Sequence, residues 1–384
     1  MPRFETIAEL CMSRRVLITA GAGGVGKTTT AAALAVAAAK RGRRVLCLTI
    51  DPARRLAESL GLSEMKSEAA LVDKARFEKA GIALEGELTA MMLDTKRTFD
   101  EIVVKYSSSP AKAEKLLANK LYQYVSTSLA GTQEYMAMEK LVAVSNDPAY
   151  DLIILDTPPT ANALDFLYAP ERMVAALDSA AINWFVESFE SSGKFSLNLL
   201  ARSAAAVLKG ISKITGGGFL EAMAEFVREL NDLFGGFKER AERVKKEIRS
   251  EKVSFVLVTS PAPPSIREVL FFSERLVEHD MPRGAFVVNR FHVPPPFPGT
   301  PSPEEVKAAL KAKKLALDDD AETRIAHAHG DAVKLATLDA MHVRYLEQAV
   351  DPGVPIVKVE AMARDVYDLV LLDAVAERIM SGGI

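Results

Sequence analysis

The residues Gly21-Ala22-Gly23-Gly24-Val25-Gly26-Lys27-Thr28 satisfy the pattern G-x-x-x-x-G-K-[ST], whose residue types suit a phosphate chain. Glycines let successive backbone N–H groups approach an anion closely, and the helical run Thr29 to Lys40 adds the positive end of its dipole at the same place. Lys27 offers a point charge to β- and γ-phosphates, and the Thr28 hydroxyl is a ligand for Mg²⁺. The expected nucleotide contacts are therefore Gly21, Gly23, Gly24, Val25, Gly26, Lys27, Thr28 and Thr29. The same residues also satisfy G-x-G-x-x-G, and Asp51 ends the next apolar run where a dinucleotide enzyme places its ribose-binding carboxylate. That leaves a dinucleotide-dependent oxidoreductase as an alternative. Lys27-Thr28 weighs against it, because a dinucleotide turn has no need of a lysine followed by a hydroxyl. The bland reading is a glycine-rich turn with an exposed lysine.

A second group of chemistry-bearing residues is Asp156-Thr157-Pro158-Pro159-Thr160, which closes the apolar run Leu152 to Leu155. A carboxylate at the carboxyl end of a parallel strand lies where open α/β sheets bind ligands, and Asp156 suits a role in holding magnesium through water. Viewed alone, the same residues read as a turn.

These residues need a scaffold, and the rest of the chain supplies its outline. Short β-branched runs, Val16 to Thr19, Val45 to Ile50, Leu88 to Leu93, Leu152 to Leu155, Val253 to Val258, Ala285 to Val288 and Val354 to Val359, alternate with helical patterns. The alternation predicts a three-layer α/β fold with a mainly parallel central sheet. The runs are nearly continuous in apolar residues, as strands covered on both faces are. Between Phe166 and Ser250 no strand pattern occurs, and this stretch is expected to be a helical insertion in a single domain spanning residues 1–384. From Phe219 to Ile248 apolar residues recur at intervals of three and four, marking one face of an amphipathic helix or helix pair. The proline cluster from Val293 to Pro303 is expected to be a stiff surface loop.

Composition narrows the function classes. The 384 residues carry a formal net charge of -3, with 49% hydrophobic and 26% charged residues, which describes a soluble globular chain with no global basic field for nucleic acid. Met1 to Arg15 shows no secretory signal and no run is apolar enough to span a membrane, so the expected place is the cytoplasm. Two cysteines, Cys11 and Cys47, form no Cys-x-x-Cys pair, and Cys47 reads as a small buried hydrophobe within its strand. His327 and His329 stand two apart, a poor helical spacing for a shared metal, and read as surface histidines.

Taken together, Gly21 to Thr30, Thr49-Ile-Asp-Pro-Ala-Arg-Arg55, Asp156 to Thr160 with Asn162 and Phe166-Leu167, and Val287-Val-Asn-Arg290 resemble the ArsA family of P-loop ATPases. That family comprises anion-pump ATPases and Get-pathway ATPases that target tail-anchored membrane proteins. The resemblance extends over nearly the whole chain and implies an ATPase using ATP and Mg²⁺. It assigns to Asp51 the polarising of the attacking water, to Asn289 the reading of adenine, and to Asp156 through Asn162 a switch segment. An amide does offer both a donor and an acceptor to an adenine edge, and a carboxylate near the γ-phosphate can orient water. For Asp51 the competing reading is a loop carboxylate paired with Arg54 or Arg55. The resemblance further implies a homodimer, or a dimer with a related subunit, and a helical region that takes a hydrophobic client helix.

This sequence departs from the family pattern at three points. The phosphate loop of the family carries a second, signature lysine where this chain has Ala22. Its loss removes one source of transition-state charge stabilisation, for which Arg54, Arg55 or Arg290 are candidate substitutes. Two distant cysteines do not supply the thiolate set of an arsenite pump, and no Cys-x-x-Cys is present for a zinc-bridged dimer. Only Met173 and Met223 fall in the stretch 166–250, a thin supply for an adaptable client groove, and the stripe from Phe219 to Ile248 also suits packing on its own core. Two readings follow: a dimeric Mg-ATPase whose hydrolysis rearranges its helical region, or a nucleotide-binding scaffold with little hydrolysis that works with a related subunit.

Overall fold

The computed structural model describes residues 6–50, 55–62, 64–120, 122–123, 126, 132–157, 168–172, 174–175, 226, 239–297, 299–315 and 320–384. Asp51, Arg54 and Asn162, and most of the stretch from Phe166 to Ser250, lie outside the described residues. The chain divides into two compact units, one formed by Met1–Met92, Pro148–Ala163 and Glu251–Ile384, the other by Leu93–Asp147 and Leu164–Ser250.

The first unit is built on an eight-stranded sheet in the order β3-β4-β2-β5-β1-β6-β7-β8. Its strands are β1 (Val16–Ala20), β2 (Arg44–Thr49), β3 (Ala70–Leu71), β4 (Glu87–Met92), β5 (Leu152–Asp156), β6 (Val253–Thr259), β7 (Arg283–Phe291) and β8 (Ile356–Glu360). All pairings are parallel except that of β3 with β4. This is the three-layer α/β arrangement that the apolar runs predict. Strands β1, β5 and β6 are buried at every residue, as strands covered on both faces must be. The two-residue β3 has no run long enough to register as a pattern. It ends an edge at which Leu71 is exposed, and a very short edge strand limits unwanted pairing.

Helix α1 (Ile7–Ser13) precedes β1, and α2 (Lys27–Lys40) follows it. Gly26 stands at the N-terminus of α2 with φ 95°, a left-handed conformation that glycine adopts without the Cβ clash. Alanines at 31–33, 35 and 37–39 are fully buried together with Leu34 and Val36. A helix apolar on all sides belongs inside, and its small residues allow close approach to the sheet and to neighbouring helices. Short helices α3 (Arg55–Ser59) and α4 (Lys74–Lys79) complete the N-terminal part of this unit.

At the end of the sheet opposite the glycine loop, Asp151 joins β2 to β5. Its carboxylate accepts from the Arg44 backbone N–H at 2.9 Å and from Arg44 Nε and Nη2 at 3.1 and 2.8 Å. These bonds hold its pKa at about 2, below the ordinary carboxylate value. The neighbouring Arg43 guanidinium reaches the carbonyls of Cys11, Arg14 and Asp151. Cys47 is fully buried, as its place in an apolar run implies, and burial pushes its thiol pKa up.

The second unit contains α5 (Thr95–Tyr106), α6 (Pro110–Ala118) and α7 (Thr132–Ser145). Asp94 and Ser109 cap the first two, accepting from Arg97 N at 2.9 Å and Lys112 N at 3.3 Å. Their apolar faces meet in a core that includes Phe99, Val103, Leu116, Tyr122, Tyr135, Met136 and Ala241. The helical part of the molecule thus takes in Leu93–Asp147 as well as later residues.

The C-terminal part of the first unit adds α8 (Pro263–Glu278), α9 (Pro303–Ala312), α10 (Ala321–Ala349) and α11 (Leu369–Met380). Among the described residues, 292–297 and 299–302 carry no helix or strand, in keeping with their prolines, and Pro303 opens α9 where a missing N–H costs nothing. Helix α11 is capped by Asp368, which accepts from Leu371 N at 2.8 Å. It lies against α2, where Lys40 Nζ reaches Asp373 and Glu377, each at 2.6 Å. Among the described residues no helix is long and apolar enough to cross a membrane.

Candidate functional site

A cavity of about 810 Å³ opens at the carboxyl ends of the strands, with Gly24, Gly26, Lys27, Thr28 and Thr29 forming one end of its lining. The loop that presents them is fixed by two close approaches. A Cβ on Gly21, φ 153°, would lie 2.0 Å from the Val258 carbonyl oxygen of β6, and a Cβ on Gly26 would lie 2.1 Å from Asn289 Nδ2. Both glycines are therefore dictated by packing within this chain as well as by the pattern. Lys27 is buried, and its Nζ donates to the carbonyls of Gly21 at 2.9 Å and Ala22 at 2.7 Å. The ammonium is held over the loop's own concavity, where an anion would meet it.

Below the loop, hydroxyls brace the strand ends. Asp156 is wholly buried, and its Oδ2 accepts from Thr49 Oγ1 at 3.0 Å. Thr157 Oγ1 donates to the Thr19 carbonyl at 2.7 Å, and Thr19 Oγ1 to that of Leu155 at 3.3 Å. The register places Asp156 beside both Thr19 and Thr49. The carboxylate is thus oriented at the centre of the sheet, one residue before Thr157, which lines the cavity. A threonine hydroxyl at 28 and an oriented carboxylate at 156 are hard oxygen donors of the kind magnesium takes.

The lining continues with Asn289, Arg290 and His292 from β7 and just beyond it, and with residues between Ala361 and Tyr367 after β8. Asn289 Nδ2 donates to the Val25 carbonyl at 2.9 Å and its Oδ1 accepts from Arg290 N at 3.0 Å. By its complement of donors and acceptors the amide retains a second N–H and a second lone pair. Arg290 has φ 59°. It sits where β7 gains one residue on β8, between the pairs Val288–Lys358 and Phe291–Glu360. Such a bulge re-aims side chains and is common beside binding sites. His292 follows, with its backbone N–H donating to Asp339 Oδ2 at 2.9 Å and its ring Nδ1 2.7 Å from the same oxygen. Arg364 Nη1 donates to the Tyr367 hydroxyl at 3.2 Å.

Of the residues picked out in the sequence, Gly24, Gly26, Lys27, Thr28, Thr29, Asn289, Arg55 and Arg290 come together around this cavity. Gly21 and Val25 are buried behind the loop, Gly23 is exposed, and Asp156 stands beneath. The cavity residues not anticipated include Glu58, Ser59, His292 and the segment from Ala361 to Tyr367. That segment follows the run Val354 to Val359, and the rule that ligands bind beyond the carboxyl ends of strands would have pointed to it.

A parallel sheet with a glycine loop between its central strand and a buried helix, a lysine over that loop, and an aspartate on the adjacent strand together define a P-loop NTPase. The model of the anion-transporting ATPase family matches residues 14–319, and the chain belongs to that family, the ArsA ATPases. ATP binding and ATPase activity follow at the level of the family. Curated relatives include three proteins named ATPase GET3. That of Malassezia globosa is 24% identical over 287 residues, 74% of this chain and 75% of its own length. That of Mycosarcoma maydis is 26% identical over 289 residues, 72% and 73% of the two chains. That of Phaeosphaeria nodorum is 26% identical over 312 residues, 79% and 84%.

Proposed function

We propose that the chain is a Mg-dependent ATPase that couples nucleotide state to rearrangement of its helical region. The observation that carries this reading is that one cavity is lined by Lys27, Thr28 and Asn289 together. In it Lys27 neutralises β- and γ-phosphate charge, the backbone N–H groups from Gly21 to Thr29 cradle the phosphates, and Asn289 reads the adenine edge. Thr28 would hold magnesium directly, and Asp156, positioned by Thr49, would hold it through water. When bound, magnesium supplies charge neutralisation at the phosphate oxygens. Asp51 orients the attacking water, a role that rests on the family resemblance. The same resemblance supports one nucleotide-binding domain with residues 166–250 as a helical insertion, a dimer of this chain or with a related subunit, a hydrophobic client helix as partner, and a place in the cytoplasm.

One observation favours the second reading, a nucleotide-binding scaffold with little hydrolysis. Ala22, at the position of the signature lysine, is buried and packs in the main apolar core. Steady-state phosphate release by the purified chain separates the two. The ATPase reading expects turnover with magnesium, its loss on chelation, and a fall of roughly 10²-fold or more in Asp51→Asn. Nucleotide binding with no phosphate release in either protein establishes the scaffold.

A further inference from the structure

The end of β7 is held at three points, and the third is on a helix that contributes nothing to the phosphate end. Asn289 is tied to the phosphate loop through Val25. The Phe291 carbonyl accepts from Ala361 N at 2.8 Å, which fixes the start of the segment lining the far wall. His292 is tied by backbone and ring to one carboxylate oxygen of Asp339. Between the first and last of these anchors lies Arg290 in a left-handed conformation, which a side-chain-bearing residue keeps only where its surroundings impose it.

Asp339 belongs to α10, a helix of 29 residues, and its side chain is 13% exposed. The same helix is attached to β8 by the Glu347–Lys358 ion pair at 2.8 Å and to the loop after β7 by His329 Nε2 at 3.0 Å from the Phe297 carbonyl. It lies beyond residue 319, where the family match ends. A carboxylate that takes both the N–H and the ring of one residue is a directional clamp stronger than a neutral hydrogen bond.

We propose that Asp339 is a positioning residue for the nucleotide base: by clamping His292 it imposes the bulge at Arg290 and so aims the Asn289 amide into the cavity. The inference rests on Asn289 being the base reader. Reciprocally, a base held by Asn289 steadies α10, because coupling between two sites is mutual.

The test compares ATP and GTP affinities, by calorimetry, for the full chain and for Asn289→Ala, Asp339→Leu, Asp339→Asn and His292→Ala. Asn289→Ala is expected to erase the preference for ATP. Asp339→Leu is expected to weaken ATP binding roughly five- to tenfold and to shrink the ATP/GTP ratio. Asp339→Asn restores most of both, since its amide oxygen still accepts from the His292 N–H. His292→Ala keeps that N–H and shows a smaller change in the same direction, so it serves if Asp339→Leu fails to fold. Hydrogen exchange gives a readout that a structural role would leave unmoved: ATP slows exchange in residues 335–343 of the parent and not in Asp339→Leu. An unchanged nucleotide ratio in the Asp339 and His292 variants beside an altered one in Asn289→Ala overturns the inference. If Asn289→Ala leaves the ratio unchanged, base reading fails, and the exchange experiment alone decides whether Asp339 is coupled to the nucleotide.

Discussion

Two parts of the cavity lining, a phosphate end at the glycine loop and a base end beyond β7 and β8, are built by opposite means. At the phosphate end one contiguous loop supplies the anion cradle: backbone N–H groups, a helix N-terminus and one lysine converge within eight residues, held by the glycine contacts to Val258 and Asn289. At the base end, side chains from β7 and the segment after β8 line the wall, braced by α10, and Asn289 and His292 are each held by a partner far away in the chain. Backbone that cannot be substituted away is rigid and general for any phosphate. Side chains aimed by other side chains are adjustable, and it is there that selectivity among bases is set.

This contrast predicts a graded set of effects. The largest is at Lys27. Lys27→Ala removes the one cation that the loop itself holds over the phosphates, and turnover should fall roughly 10²- to 10³-fold. Phosphate release under saturating ATP measures it. An undiminished rate would place the charge stabilisation elsewhere, on Arg55, Arg290 or Arg364, the described arginines that line the cavity.

Gly26→Ala comes next because Gly26 is where the two ends touch. The added Cβ meets Asn289 Nδ2 and must adopt φ 95°, a conformation that costs an L-residue about 1–3 kcal/mol. Stability should drop by that order in denaturant unfolding, and ATP affinity should fall about tenfold because both the loop and the Asn289 amide are displaced. Loss of stability with intact affinity would mean that the two ends adapt independently.

How much of each end can be read in the sequence follows from the same contrast. The phosphate loop is legible because its chemistry is local and its glycines have no substitute. The strands are legible because burial on both faces leaves apolar runs such as Leu152 to Leu155. Asn289 is legible through family resemblance alone, since an asparagine after Val-Val has no local signature. The Asp339–His292 pair spans 47 positions, and no periodicity joins residues that far apart. Arg290 is a left-handed residue that is not glycine, so the usual marker of a bulge is missing. β3 is too short to leave a pattern, and it is antiparallel where the alternation of elements predicts parallel pairing.

Truncations at the base wall should be milder than those at the loop and different in kind. Tyr367 and Arg364 are hydrogen-bonded to each other and line the cavity. Removing either side chain takes away contacts made equally in ground and transition states, which raises KM and leaves kcat in place. Tyr367→Ala is expected to raise KM for ATP about three- to tenfold with kcat within twofold, in steady-state assays. A fall in kcat instead would mean that the base wall takes part in the chemical step, and the division between the two ends would not hold.

The smallest effect is expected at the opposite end of the strands, which separates stability from function. Asp151 is held at about 2 by Arg44, chiefly through its side chain and then its backbone N–H. A carboxylate whose folded pKa is depressed stabilises the fold above its unfolded value, near 3.9, and loses that contribution as pH falls toward 2. Asp151→Asn should therefore lower stability at neutral pH and leave it unchanged near pH 2, so that the unfolding curves of the two proteins converge on acidification. The pair is substantially exposed, with side-chain accessibilities of 46% and 36%, so screening limits the neutral-pH difference to under about 1 kcal/mol. ATP affinity should not move. Asp151 lies where β2 and β5 begin, and the cavity lies where they end, so an effect on nucleotide binding would show that the sheet transmits strain along its strands and does not merely support the site.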